Sequence, residues 1–90
     1  MENEWKREGI ILEENQRGYI RGVVLYTIFN NENENFSIVK VKIEATNEDY
    51  DEKEIVVKGY FSELTENNTY TFYGNFENHA RFGTQYRVES

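Results

Sequence analysis

The sequence predicts an all-β domain, a small closed or nearly closed barrel of five strands. Segments of alternating β-type residues fill almost everything after residue 18, at residues 19–29, 36–45, 54–61, 70–77 and 84–89. Glycines and polar turn formers separate these segments, and the spacing leaves no room for a long helix. Ninety residues suffice for one domain with one core, to which six Phe, seven Tyr and one Trp bring large apolar rings.

The first predicted strand is long and carries Gly22 in its interior. An interior glycine often marks a β-bulge or a sharp bend. The first strand of a small barrel needs such a bend, because it has to pair with both halves of the sheet. Residues 30–35 are all polar and are expected to form the loop into the second strand.

Alternation assigns the side chains of the other four strands to two faces. The expected interior set is Ser37, Val39, Val41 and Ile43, then Ile55, Val57, Gly59 and Phe61, then Tyr70, Phe72, Gly74 and Phe76, and finally Tyr86 and Val88. The expected outward set is Phe36, Ile38, Lys40 and Lys42, then Val56, Lys58 and Tyr60, then Thr71, Tyr73 and Asn75, and finally Gln85 and Arg87. Residues 46–53 are expected to form a solvated acidic hairpin tip, and residues 62–68 a short helical turn at most.

Residues 1–18 differ from the rest of the chain, because they are rich in Glu and Asn and their apolar anchors are few. We interpret them as a partly ordered lead-in. Within it, residues 10–13 form either an extra edge strand or a short helix, and the periodicity does not separate the two. Residues 19–90 are then the barrel domain.

The charge balance argues against simple binding to nucleic acid. The net charge is −7, from ten basic and seventeen acidic residues, so the long-range field repels phosphate backbones. Any such binding requires a local cluster of Lys and Arg. Cysteine is absent, and no apolar segment is long enough to span a membrane. A cytoplasmic protein with no membrane partner is therefore expected.

No catalytic or metal-binding constellation is visible. Two polar runs have the spacing of calcium ligands, but each ends on a lysine, Lys58 or Lys42, where the last carboxylate is required. The single His and the lack of a convergent Ser–His–Asp spacing leave no nucleophile. We expect no cofactor, no metal and no enzyme activity of this chain by itself.

Three stretches carry recognisable motifs. Residues 22–32 read GVVLYTIFNNE and are followed by FSIVKV at residues 36–41; residues 57–64 read VKGYFSEL; and residues 73–86 read YGNFENHARFGTQY. These stretches resemble, in order, the signatures of the N-terminal OB-fold domain of RecD-like ATP-dependent DNA helicases. The resemblance covers about residues 19–89, with one departure at Ala80, where the family usually has Pro.

The resemblance implies an OB-fold, a five-stranded Greek-key barrel, in a parent helicase that binds and hydrolyses ATP and acts in DNA repair. That chemistry is not carried over, because the chain has no phosphate-binding G-x-x-x-x-G-K-S/T loop. In the family the ATPase motor lies C-terminal to this module. We therefore expect the chain to be an excised N-terminal domain of a larger helicase.

Two candidate nucleic-acid sites follow. The first is the outward row Phe36, Lys40, Lys42, Lys58 and Tyr60. OB-folds bind single strands on this face, where rings stack on bases and cations track phosphates. The alternative is structural: lysines on a solvated strand oppose aggregation, and rings pack across strands.

The second candidate is the loop at residues 77–85, with Arg81 as a charged donor and Phe82 as a stacking ring; Arg87 lies at the same mouth. Gly83 permits a positive φ. The alternative is a tight hairpin in which Phe82 packs on the barrel mouth and His79 bonds to a backbone carbonyl.

Two functions stay open at this point. The chain is either a module that binds or guides single-stranded DNA for the helicase motor, or a protein-docking or autoregulatory domain. The docking partner would be the helicase core or a replication or repair protein. The charge of −7 favours docking, because an acidic barrel suits basic protein surfaces better than phosphates.

Overall fold

The computed structural model describes residues 17–89, and these form five β-strands without a helix. The strands are β1 (Tyr19–Asn31), β2 (Phe36–Thr46), β3 (Glu54–Tyr60), β4 (Thr69–His79) and β5 (Gly83–Val88). Each strand begins and ends within two residues of its predicted bounds, so the five predicted strands are confirmed. No helix in this part of the chain could cross a membrane. The prediction for residues 1–18 lies almost wholly outside the described residues.

The strands close into a barrel in the order β1-β2-β3-β5-β4. Neighbouring strands are antiparallel, except that β3 and β5 run parallel. A parallel pair cannot be joined by a tight hairpin, so β4 forms the crossover between them and then pairs with β1. The predicted five-stranded Greek-key barrel is confirmed, and it is consistent with an OB-fold.

β1 bends as its interior glycine predicts. Its first five residues pair with β4, and the strand as a whole pairs with β2. The β1–β2 register shifts at three places, the first between Arg21 and Gly22. A side chain at Gly22 would collide with the backbone carbonyl of Lys42. Glycine is therefore required there, because the bend brings two backbones into direct contact.

The core lies inside the barrel and consists of branched aliphatic and aromatic side chains. Its buried apolar members are Ile20, Val24, Val39, Val41, Ile55, Val57, Phe72 and Tyr86. The predicted inward face is confirmed, since Phe76 and Val88 also pack partly buried against this cluster. The buried Ser37 has its hydroxyl 2.7 Å from Asn30 Nδ2, which donates to it, and 3.5 Å from the Phe61 carbonyl. Burial of this polar group is thus compensated.

The loop between β2 and β3, residues 47–53, differs from the predicted solvated tip. Its Tyr50 packs against the core and stacks on Phe76, with ring centroids 5.4 Å apart. Glu48 Oε2 accepts a hydrogen bond of 2.8 Å from the Tyr86 hydroxyl, which itself accepts from the Gly74 N–H at 3.2 Å. The prediction holds for Asn47, Asp49 and residues 51–53, which are exposed, and fails for Glu48 and Tyr50, because acidic composition reports only the loop's average polarity. Composition does not show that one ring and one carboxylate reach the barrel.

The connector between β3 and β4, residues 62–68, contains no helical turn. Asn67 adopts a φ of 71°, and its N–H donates to the Val24 carbonyl at 2.7 Å. The Val24 N–H in turn donates to the Asn68 carbonyl at 3.0 Å. The connector therefore satisfies backbone groups of β1 just where β4 stops pairing with it.

Candidate nucleic-acid interface

The outer surface of β2, β3 and β5 brings four predicted site residues together. Phe36 faces Tyr60 across the β2–β3 ladder, and their ring centroids are 5.0 Å apart. Lys58 faces Arg87 across the parallel β3–β5 pair, so Arg87 belongs to this group and not to the β4–β5 turn with which it was predicted to lie. These four side chains line a cleft of roughly 180 Å³, which we call the aromatic–cation cleft. An aromatic ring beside two cations is the combination that a nucleotide requires, since a base stacks and a phosphate pairs with the charges.

The rings of the cleft support one another yet leave Tyr60 accessible. Tyr60 is 69% exposed although it contacts Phe36. Phe29 on β1 lies 6.3 Å from Phe36, centroid to centroid, and extends the row of rings across three strands. Such tilted contacts fix ring orientation. Tyr60 is therefore both held and available to a ligand.

Lys40 and Lys42 lie on the same face but outside the cleft. Lys40 is half-buried opposite Val56, and Lys42 is exposed opposite Glu54. Neither forms an ion pair with another residue of the described range 17–89. Both ammonium groups are therefore available as charges for a polyanion that crosses this face.

Lys58 and Arg87 are both paired with Glu77. Lys58 Nζ lies 2.8 Å from Glu77 Oε1, and Arg87 Nη1 lies 3.2 Å from Glu77 Oε2. The hydrogen bond from Lys58 and the smaller contribution from Arg87 hold the pKa of Glu77 below its ordinary value. The carboxylate is consequently ionised at neutral pH and offsets charge in the cleft.

Sequence reasoning missed Glu77, although a signal was present. Glu77 follows Tyr73 and Asn75 in the outward alternation of β4. The parity of the strand therefore places it on the surface. What the sequence lacks is the lateral order, with β5 between β3 and β4, which brings this carboxylate to Lys58 and Arg87.

The turn between β4 and β5 is shorter than the predicted loop, because pairing continues to His79 opposite Gly83 and leaves residues 80–82. Gly83 has a φ of 80°, as predicted. The Phe82 ring is 65% exposed and lies 4.7 Å from the His79 ring, centroid to centroid. His79 Nδ1 accepts a 3.2 Å hydrogen bond from the Arg81 backbone N–H, and no hydrogen bond joins the His79 ring to a carbonyl within residues 17–89, where the suggested alternative placed one. The Arg81 guanidinium carbon lies 5.9 Å from the Phe82 ring centroid.

Phe82 leans over the outer sheet and forms one wall of an apolar groove. The other walls are Ile28, Ile38, Val56 and Gln85, and the groove has a volume of roughly 320 Å³. Val56 precedes Tyr60 by four positions in β3, which corresponds to about 13 Å along the strand. The apolar groove and the aromatic–cation cleft are thus neighbouring features of one surface, each with an exposed ring.

Metal-ligand chemistry has no geometric support in residues 17–89, where no three His, Asp or Glu side chains converge. A family model for the OB-fold domain of the ATP-dependent DNA helicase YrrC matches residues 17–90. The matched range includes all five strands and both candidate sites. No solved structure matches this chain significantly.

Proposed function

The chain belongs to the family of the OB-fold domain of the ATP-dependent DNA helicase YrrC, and on this premise we propose that it binds single-stranded DNA and guides it for the helicase motor. The aromatic–cation cleft carries the proposal, because it pairs an exposed ring with two cations. In this proposal ATP hydrolysis belongs to motor domains of the parent helicase. The module itself contributes binding in the cytoplasm, in the service of DNA repair.

The proposed path of the DNA runs across the outer sheet. One base stacks on Tyr60, another stacks on Phe82 over the neighbouring apolar groove, and Lys40, Lys42 and Arg81 neutralise phosphates between and beside them. Stacking contributes about 1–3 kcal/mol per base. The net charge of −7 opposes this attraction, so binding is weak, sequence-tolerant and steeply dependent on salt.

A titration of labelled oligothymidylate, followed by fluorescence anisotropy at low ionic strength, tests the proposal. We expect detectable binding that the double variant Lys40→Glu with Lys42→Glu weakens, because two phosphate contacts beside the cleft are reversed in charge. The matched control is Arg21→Glu with Lys53→Glu, which changes the net charge equally at exposed positions outside both candidate sites. Undetectable binding at high micromolar protein, or equal losses in the two double variants, would refute the proposal.

A second candidate function is protein docking, which the apolar groove favours. Ile28 in its wall is half-exposed, as are the neighbouring Tyr26 and Phe29 of β1. Apolar side chains grouped on a surface mark interaction sites for protein partners. The partner in this alternative is the helicase core or a replication or repair protein.

Cross-linking of the domain to the rest of the helicase separates the two functions. Docking predicts a cross-linked product that Ile28→Asp suppresses, whereas the guiding of single-stranded DNA requires no such product. The absence of any product with the core or with a replication or repair protein would count against docking.

A further inference from the structure

Glu77 occupies both cations of the aromatic–cation cleft. Its two carboxylate oxygens each contact one cation of the aromatic–cation cleft, Lys58 at 2.8 Å and Arg87 at 3.2 Å. A phosphate offers the same kind of anionic oxygens to the same donors. The two anions therefore compete for Lys58 and Arg87, and the domain carries one of them within its own sheet.

These ion pairs are weak enough for a ligand phosphate to replace the Glu77 carboxylate. The side chains of Lys58 and Glu77 are 22% and 36% exposed, so water and salt reach the pair. Ion pairs of this exposure stabilise a protein little. A ligand that gains a second contact at the same time can therefore displace the carboxylate, whereas a ligand that offers phosphate alone gains little.

The second contact is available next to the cations. Tyr60 lines the same cleft and presents its ring to solvent. An unpaired base can stack on that ring while its phosphate takes the place of the carboxylate. The bases of duplex DNA are stacked within the helix, and polyphosphate has no base.

We propose that Glu77 is an internal competitor for phosphate, which occupies Lys58 and Arg87 in the free domain and releases them only to a ligand that also stacks on Tyr60. This inference rests on the proposed function and adds a residue that determines specificity. Under this proposal the domain prefers single-stranded DNA to duplex DNA and to polyphosphate. Removal of the carboxylate should therefore raise affinity for all anions and narrow the preference for single strands.

The test compares the wild-type domain with Glu77→Gln, which keeps the shape of the side chain and removes its charge. Glu66→Gln is the matched control, because it changes the charge equally in the β3–β4 connector. Oligothymidylate of about twelve nucleotides, a duplex of equal length and inorganic tripolyphosphate are titrated against each protein.

For Glu77→Gln we expect about three- to tenfold tighter binding of the single strand and a larger gain for the duplex and for tripolyphosphate. The slope of log affinity against log salt should steepen by about 0.7, the value for one additional neutralised charge on a single strand. Glu66→Gln should change affinity by less than about twofold, as exposed distant charges are screened.

The outcomes separate this inference from the proposed function. Single-strand binding that is equal in Glu77→Gln and Glu66→Gln overturns the inference and leaves the proposed function standing. Binding of tripolyphosphate by Glu77→Gln alone, with chemical-shift changes at the amide of Gly59, which also lines the cleft, and with no single-strand binding, supports the competitor role and overturns the proposed function. No binding of any ligand by any variant overturns both.

Discussion

The β2–β3 loop and the β4–β5 turn each carry one aromatic ring, but the two rings have different environments. Tyr50 of the first connection stacks on Phe76 and packs against the core. Phe82 of the second is 65% exposed, and its ring contacts that of His79, three positions earlier in the chain. The first ring anchors its loop to the barrel, whereas the second is presented to solvent beside the outer sheet.

This difference shows which connection can serve recognition. The β2–β3 loop holds more acidic residues and looks freer in sequence, yet Glu48 and Tyr50 attach it to the barrel. The β4–β5 turn is constrained by its hairpin pairing, and its ring remains mostly exposed. A ring that stabilises the fold is unavailable to a ligand, and an exposed ring on a rigid hairpin is available at little cost in ordering entropy.

The largest expected effect is on the anchored ring. Tyr50→Ala should lower the free energy of unfolding by about 2–3 kcal/mol, below the value for a fully buried aromatic because Tyr50 is half-buried. Urea denaturation measures the change. Tyr26→Ala is the control, since this tyrosine is half-exposed, and it should change stability by less than about 0.5 kcal/mol. Equal losses in the two variants would contradict the anchoring role of Tyr50.

The hydroxyl of Tyr86 is expected to have the next largest effect. Tyr86→Phe leaves the Gly74 N–H and the Glu48 carboxylate without this partner, which should cost about 1–2 kcal/mol in urea denaturation. A stability equal to that of the wild type would show that the hydroxyl does not hold the loop.

The same variant has a pH signature. Burial, reinforced by the hydrogen bond and the charge of Glu48, raises the pKa of Tyr86 above its ordinary value. The protonated hydroxyl then stabilises the fold fully below the pKa that the residue has in the unfolded chain, near 10, and this stabilisation declines as pH rises above it. The wild type should therefore lose stability on the alkaline side faster than Tyr86→Phe. Parallel alkaline curves would contradict the raised pKa.

The exposed ring should affect binding and not stability. Phe82→Ala should weaken oligothymidylate binding by about 1 kcal/mol, near the lower end of the range for one stacked base. Its free energy of unfolding should stay within about 0.5 kcal/mol of the wild type. Anisotropy titration and urea denaturation of the same preparation check both statements. A stability loss comparable to that of Tyr50→Ala would remove the contrast between the two connections.

The sequence predicts most of the fold because the alternation of residues is local. The bounds of all five strands and the inward face of the core follow from it, as does the glycine bend in β1. The anchoring of the β2–β3 loop could not be predicted, because Glu48 meets Tyr86 only once the barrel closes, 38 positions apart in sequence. Such a contact depends on which strands are neighbours in the barrel, and the alternation of residues within one strand does not contain that information.

The sequence predicted three side chains of the cleft as one group, Phe36, Lys58 and Tyr60, but it assigned Arg87 to the other candidate site and did not predict the ion pairs. Alternation assigns Phe36, Lys58, Tyr60 and Arg87 to the outer face, and the pairing of β3 with β2 and β5 brings them together in the cleft. The paired state of Lys58 and Arg87 depends on Glu77, which comes from the strand on the far side of β5. Charge pairing across three strands is therefore information that the structure adds.

The smallest expected effect concerns the acid side of the stability curve. The pKa of Glu77 is lowered by Lys58 and Arg87, so its stabilisation is present above the pKa of an unfolded glutamate and is lost as pH falls through the lowered value. The stability of Glu77→Gln should therefore fall less than that of the wild type as the pH is lowered. Added salt should reduce this difference between the two proteins. Thermal unfolding from neutral to acidic pH measures it, and a Glu77→Gln curve parallel to the wild type would contradict the ion pairs.

Chemical-shift mapping of oligothymidylate on the isotope-labelled domain tests the central claim most directly, namely that the outer sheet of β2, β3 and β5 is the binding surface. We predict shifts at the amides of Lys58, Tyr60 and Phe82, with the anchored Tyr50 unchanged. Shifts concentrated instead around Thr71, on the outward side of β4 where it pairs with β1, would contradict the claim.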